Sequence, residues 1–312
     1  VSSASGTAPP LSRAERASVY AALLAVQVMF GLHYLASKVL LEEIDPAAWA
    51  VLRAVPAALI LLVIYLRRGP RFLSFADLGR LALFALFGVV LNQVCFVEGL
   101  SRTTPAHSAL INTTIPVTTI LFAVLLRREK VRWRRVAGIV SSFGGVLILL
   151  RVDDFELRAQ WLLGDLLTQV NAASFGLFLV ISKNVIHRVG ATTATTAIFC
   201  FGAFGISLYG GPAAAGLDFA AVPGRIWGIA AFIIVFPTVL TYFLNYWALA
   251  RVESSLVALF IYLQPLLATA LSAVFLGEPI TPRLVLSSVF VFAGVFLATW
   301  RRRRPPLPSL RP

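Results

Sequence analysis

Charge is scarce in this chain. Only 13% of its 312 residues are Asp, Glu, Lys or Arg, where a soluble domain carries about a quarter. With so little charge and 59% hydrophobic residues, neither a disordered chain nor an ordinary water-exposed surface fits. Cysteine is nearly absent. Cys95 and Cys200 each sit in an apolar run, which excludes a disulfide scaffold and leaves two small buried thiols. His33, His107 and His187 are the only histidines and do not cluster. The sequence holds no Gly-x-x-x-x-Gly-Lys-Ser/Thr phosphate loop and no His-Glu-x-x-His. No loop is long enough for a soluble catalytic domain. A pump driven by its own ATP hydrolysis is excluded within this chain. An enzyme is not expected, and no metal or cofactor is implied.

What the chain has is apolar length, with a mean hydropathy of +0.86. One bilayer crossing needs about 20 mostly apolar residues. Apolar runs between breakers give ten candidate spans, at 18–39, 47–66, 78–100, 106–126, 133–150, 162–182, 192–210, 226–248, 255–276 and 283–300. The first run is too long for the apolar stretch of a secretory signal, and no small-residue cleavage site follows it, so it is expected to stay as a span. The bilayer is the expected solvent and an all-α integral membrane fold the expected class.

The chain is basic, with 27 Lys and Arg against 14 Asp and Glu. No basic residue lies in a segment that could form a nucleic-acid-binding domain, so no nucleic-acid partner is expected. If the N-terminal end is cytoplasmic, twenty basic residues fall on the cytoplasmic side, in clusters such as Arg67-Arg68 and Arg127 to Arg135. The other side holds Lys38, Arg102, Arg151, Arg158, Arg225 and Arg283. This is a positive-inside distribution with both termini cytoplasmic. It also suffices to explain the basic loop 127–135 without a lipid-headgroup site.

The chain repeats itself. Gly31-Leu32 with Ser37-Lys38 recurs as Gly176-Leu177 with Ser182-Lys183. Leu100-Ser101-Arg102, Pro116, Glu129 and Gly145-Val146 recur as Leu249-Ala250-Arg251, Pro265, Glu278 and Gly294-Val295. Each half holds five spans, an odd number, so the second copy enters the bilayer from the opposite face. Inverted repeats are common in secondary transporters, which place the substrate site near the midplane between the halves.

These residues and their duplicated spacing resemble the EamA-type branch of the drug/metabolite transporter superfamily, in particular its ten-helix bacterial exporters of aromatic amino acids. The resemblance implies ten transmembrane helices as two inverted five-helix repeats. The expected layout is a disordered cytoplasmic tail over 1–17, repeats over 18–150 and 162–300, and a basic cytoplasmic tail over 301–312. It also implies export of small metabolites by alternating access. The family's first helix often carries Trp-Gly followed by Asn; here the positions read Phe30-Gly31-Leu32-His33.

Polar groups inside a membrane are costly and usually face the bundle interior. Gln27, Gly31, Tyr34 and Lys38 share one helical face, which reads either as cavity lining or as a packing seam. His33 lies off that face and reads as a lone hydrogen-bonding histidine. Asn92, Phe96 and Gly99 share a face of the third span, and Ser108, Asn112, Pro116 and Thr119 one of the fourth. The second half offers Gln169, Asn171, Thr238, Tyr242, Asn245, Trp247 and Gln264, with Trp247 favoured as an interfacial aromatic. The expected substrate-binding set is Gln27, Gly31, Tyr34, Asn92, Phe96, Asn112, Tyr242, Asn245 and Gln264. Pro116 and Pro265 each remove a backbone donor and are read either as hinges or as static kinks. Arg53, Glu98 and Asp165 each lie within a turn or two of an outer end and read as structural ion pairs, ahead of an outer-gate network or snorkelling to the interface. Gly138, Ser141, Ser142, Gly145, Ser287 and Gly294 read as close-packing seams.

The expected function is export of small amphipathic metabolites, amino acids including aromatic ones, across a bacterial inner membrane through a central cavity. Carriage of drugs, nucleosides or nucleotide sugars is the alternative, ahead of a lipid enzyme or a channel.

Overall fold

The computed structural model describes residues 12–70, 72–102, 108, 111–130, 132–149, 162–267, 270 and 281–299. The expected tail residues 1–11 and 301–312 lie outside them. Ser12 opens the first helix. Its hydroxyl accepts from the Glu15 N–H at 3.2 Å, and the Glu15 carboxylate accepts from the Ser12 N–H at 2.8 Å. This reciprocal cap satisfies two orphan donors. Helix α1 therefore runs Arg13–Leu40, starting five residues before the expected Ser18 and correcting the tail expected over 12–17. A short turn leads to α2 (Pro46–Arg67), where Asp45 caps the Ala47 and Ala48 N–H groups and Pro46 occupies the first turn. There follow α3 (Phe75–Arg102), α4 (Ile115–Leu125), α5 (Trp133–Leu149), α6 (Leu162–Val189), α7 (Ala191–Ala215), α8 (Gly224–Leu249), α9 (Ser254–Leu267) and α10 (Pro282–Thr299).

No strand occurs among the described residues. Within α1, α2, α3, α6, α7 and α8 there are stretches long and apolar enough to cross a membrane, while α4, α9 and α10 contain shorter apolar helices. The chain is a multi-pass membrane protein by that measure, and length alone carries six of the ten expected spans.

Two helices widen at their middles. Leu86–Leu91 in α3 and Ile234–Leu240 in α8 adopt π geometry, with bonds spanning five residues instead of four. Pro237, inside the second stretch, supplies no donor. Side chains close the gaps in both ladders. The Thr238 and Thr241 hydroxyls donate to the Ile233 and Phe236 carbonyls, five residues back. In α3, Ser174 from α6 donates to the Phe87 carbonyl at 2.6 Å.

Small residues set the closest helix crossings, as expected from the glycine and serine seams. Gly294 lies so close to α5 that a Cβ there would sit 2.4 Å from the Gly138 carbonyl. The Ser141 and Ser142 hydroxyls donate to the Phe290 and Val291 carbonyls at 2.9 and 3.2 Å. Gly145 meets the Ser287 carbonyl. Contacts thus rise along α5 as they fall along α10, so the two helices run antiparallel. The same order holds for α2 and α7. Gly210 abuts the Ala47 carbonyl, and Thr196 donates to the Leu61 carbonyl at 3.1 Å.

Candidate functional site

The bundle interior gathers amides. Gln264 on α9 donates its Nε2 to the Gln27 carbonyl on α1 at 2.8 Å. Asn92 on α3 donates to Asn171 on α6 at 2.6 Å, and Asn171 donates in turn to the Asn112 carbonyl at 2.7 Å. Three helical segments distant in sequence are thereby tied at one point. Thr114, just beyond Asn112, reaches Gln169 at 3.3 Å. An amide left unmatched in a bilayer is costly, so these residues hold one another's orientation.

Aromatic rings pack together nearby, between α1, α6, α7 and α8. The Phe30 ring lies edge-on to both His33 and Tyr242, with centroids 6.4 Å apart in each pair. Phe199 meets Tyr242 edge-on at 4.9 Å, and Tyr246 packs on Phe178 at 5.2 Å. Several enclosed polar atoms have no partner: Asn245 Oδ1, Tyr246 Oη, Gln93 Nε2 and Arg53 Nε. Uncommitted groups of that kind beside apolar rings make a surface suited to an amphipathic solute.

Pro116 and Pro265 follow irregular backbone. Helical turns at Ile111–Asn112 are broken at Thr113–Thr114, and α4 restarts at Ile115 with Pro116 in its first turn. Before Pro265 the helix tightens to a 3₁₀ turn at Phe260–Tyr262. A proline clashes with the turn preceding it, and both helices yield there.

At the end of the bundle rich in Lys and Arg, charges interlock. Arg135 on α5 donates to Glu129 at 3.1 Å and to Ser255 at 2.8 Å, and pairs with Glu253. Ser255 donates to Glu129 by side chain and by backbone. Arg132 lies 3.7 Å from Glu253. The Arg135 and Glu129 side chains are only 8% and 7% exposed. Burial pushes the Glu253 carboxyl up, but Arg135, Arg132 and Lys183 together outweigh it and leave it below its ordinary 4.5. The cluster joins α5 and the end of α4 to the α8–α9 turn at that end of the bundle.

The EamA-like transporter family is matched twice along the chain, over residues 17–151 and again over 162–300. The chain belongs to that family. Its relatives include the uncharacterised transporter YetK of Bacillus subtilis, 23% identical over 290 residues, 92% of this chain and 88% of YetK. An uncharacterised transporter of Archaeoglobus fulgidus is 24% identical over 90% of this chain and 98% of its own length. A WAT1-related protein of Arabidopsis thaliana is 23% identical over 92% of this chain and 82% of its own. A solved crystal structure superposes with a TM-score of 0.76 at 19% identity, over 91% of this chain and 96% of that one, which speaks to the fold. The EamA-like chain is thus a membrane transporter of small solutes, related to transporters rather than to enzymes.

Against this family frame, the expected residues distribute unevenly. Gln27 and Gln264 meet, and Asn92 and Asn112 meet through Asn171. Tyr242 and Asn245 are buried on α8, Gly31 is buried on α1, and Phe96 is half-buried. The Tyr34 and Lys38 side chains lie outside the described residues. Thr238 is spent on the α8 backbone. Trp247 lies beneath the Arg251 guanidinium, 4.1 Å from its ring centroid.

Of the expected charges, Glu98 is paired structurally and Arg53 is not paired with it. Glu98 pairs with Arg102 one turn on and accepts from the Tyr209 hydroxyl. Arg53 turns instead to His33, with Nη1 3.2 Å from Nε2. An arginine only donates, so His33 accepts through an unprotonated Nε2. The reason is depth. His33 lies seven residues before the end of α1 and Arg53 seven after the start of α2, which puts both roughly 10 Å in from the α1–α2 turn. Helix lengths on either side of that turn held the signal.

Proposed function

We propose that this transporter exports small amphipathic metabolites, above all amino acids including aromatic ones, by alternating access through the space between its two halves. The basic end is read as cytoplasmic, ten spans as the full complement, and a bacterial inner membrane as the location. The resemblance to bacterial aromatic amino-acid exporters belongs to this reading. So does the layout of two inverted five-helix repeats over 18–150 and 162–300.

The observation that carries it is the Gln27–Gln264 bond, made between residues 237 apart in the chain and flanked by the aromatic rings around Tyr242. A pair of amides drawn from both halves can release one another and take up a solute's polar head as the halves move. Antiparallel crossings of α2 with α7 and of α5 with α10 support reversal of the second half. The matched irregularities before Pro116 and Pro265 support a hinge in each.

Counterflow in proteoliposomes tests the reading. Labelled phenylalanine is expected to exchange saturably and to be stimulated by unlabelled amino acid inside. Gln27→Ala and Asn112→Ala are expected to lower that exchange while folded protein is retained. Conduction without saturation, or unchanged exchange in both variants, overturns it. Thiols introduced as Lys38→Cys and Lys183→Cys are expected to label from opposite sides of the membrane; labelling from one side overturns the inversion.

A further inference from the structure

Arg53 is the charge the transporter reading leaves unexplained. It lies inside α2, half-buried, with Nε enclosed and unpartnered. It hydrogen-bonds the neutral nitrogen of His33 and the Tyr242 hydroxyl, neither of which carries a countercharge. No described carboxylate forms an ion pair with it. Glu98 is held by Arg102 and Tyr209, and Asp45 caps its own helix. A guanidinium at such depth is a standing cost in a membrane unless an anion meets it. It presents five N–H donors in a planar fork shaped for a carboxylate.

The surroundings say what the rest of that anion looks like. Phe30 and Phe199 both stand edge-on to Tyr242, whose hydroxyl bonds the guanidinium, so the groups around Arg53 on that side are aromatic. At the corresponding place of the second half, 145 residues on from Arg53, stands the buried Ile198. Of α2 and α7, only α2 therefore carries a cation inside its span.

We propose that Arg53 is the anchor for a substrate carboxylate, so that the central pocket selects aromatic or apolar solutes bearing that group and does not require an ammonium. This rests on the central space being the substrate pocket. Arg53 touches the solute, with His33 and Tyr242 holding the guanidinium in place.

The test compares phenylacetate with phenylacetamide, its uncharged counterpart, by thermal stabilisation of the purified full-length protein in nanodiscs. Phenylacetate is expected to bind at least about tenfold more tightly in wild type, as for a charge-assisted contact made in a dry site. Arg53→Gln is expected to bring the two ligands level. Equal binding in wild type, or a preference that persists in Arg53→Gln, overturns the proposal. Arg53→Lys keeps the charge and loses the fork. If Arg53→Gln does not fold, Arg53→Lys decides: at least a threefold fall in the ratio is expected, and an unchanged ratio overturns it. Phenylalanine counterflow separates the two readings. If wild type exchanges no amino acid yet prefers phenylacetate, amino-acid export falls and the anchor stands. If phenylalanine exchanges and Arg53→Gln still prefers it to phenylalaninamide, the anchor falls and export stands.

Discussion

The Ser142 hydroxyl donates to the Val291 carbonyl, 3.2 Å away and 149 residues further along the chain. That separation equals the spacing between Gly145-Val146 and Gly294-Val295. Corresponding positions of the two halves therefore touch where α5 crosses α10. Gly294→Val is expected to force the helices apart, because even a Cβ would sit 2.2 Å from the Ser142 hydroxyl. Overpacking of this kind costs about 1–3 kcal/mol or more. A fall in the Tm of purified protein, with loss of the monodisperse peak, checks it.

Arg135→Ala removes the cation beside the nearly enclosed Glu129 and leaves the half-buried Glu253 with Arg132. Leaving a buried carboxylate without its partner costs about 3–5 kcal/mol. The basic end is expected to open. Ser182→Cys in a background lacking Cys95 and Cys200 reports it: maleimide labelling is expected to be slow with Arg135 present and several-fold faster with Arg135→Ala. Equal labelling would refute closure by this cluster.

The pH dependence follows from Glu253. Its folded carboxyl titrates below the ordinary 4.5. Its contribution is then complete above 4.5 and disappears as pH falls through the folded value. The difference in Tm between wild type and Glu253→Gln is expected to be constant near pH 6 and to vanish in the acid range below 4.5. A difference that grows on acidification would reverse the sign and refute the account.

Asn171→Ala leaves the Asn92 amide and the Asn112 carbonyl without their shared partner. Interhelical hydrogen bonds in membranes contribute about 1 kcal/mol each, so a loss of about 1–2 kcal/mol is expected. Exchange of phenylalanine in proteoliposomes is expected to fall further than stability does, because both side chains lose their fixed direction. Unchanged exchange at lowered Tm would mark the trio as structural alone.

Much of the helical framework was legible because breakers and apolar length decide it locally. The start of α2 at Asp45-Pro46 and the glycine seams of α5 and α10 are examples. The Ser12–Glu15 cap was equally local and lies outside the apolar run that drew attention. What stayed hidden depends on pairing between distant elements. Asn171 reads as one amide among several until α3 and the segment before α4 close around it. Face assignments also assume an unbroken 3.6-residue period, and the widened turns in α3 and α8 break it. Thr238, one of the polar residues of the second half, spends its hydroxyl on the Ile233 carbonyl.

Those widened turns have a consequence for insertions and deletions. Each stretch, Leu86–Leu91 and Ile234–Leu240, accommodates a surplus residue within an otherwise regular rod. Removing one residue there would leave a plain helix with its ladder intact, so the chain would still fold locally. Because the surplus is absorbed locally, the turns beyond would keep their facing, with Asn92 still toward Asn171 in α3 and Tyr242 still toward Phe199 in α8. The same deletion in a regular turn of either helix would instead swing everything beyond it by about 100°, so the two widened stretches are the places where these rods tolerate a lost residue.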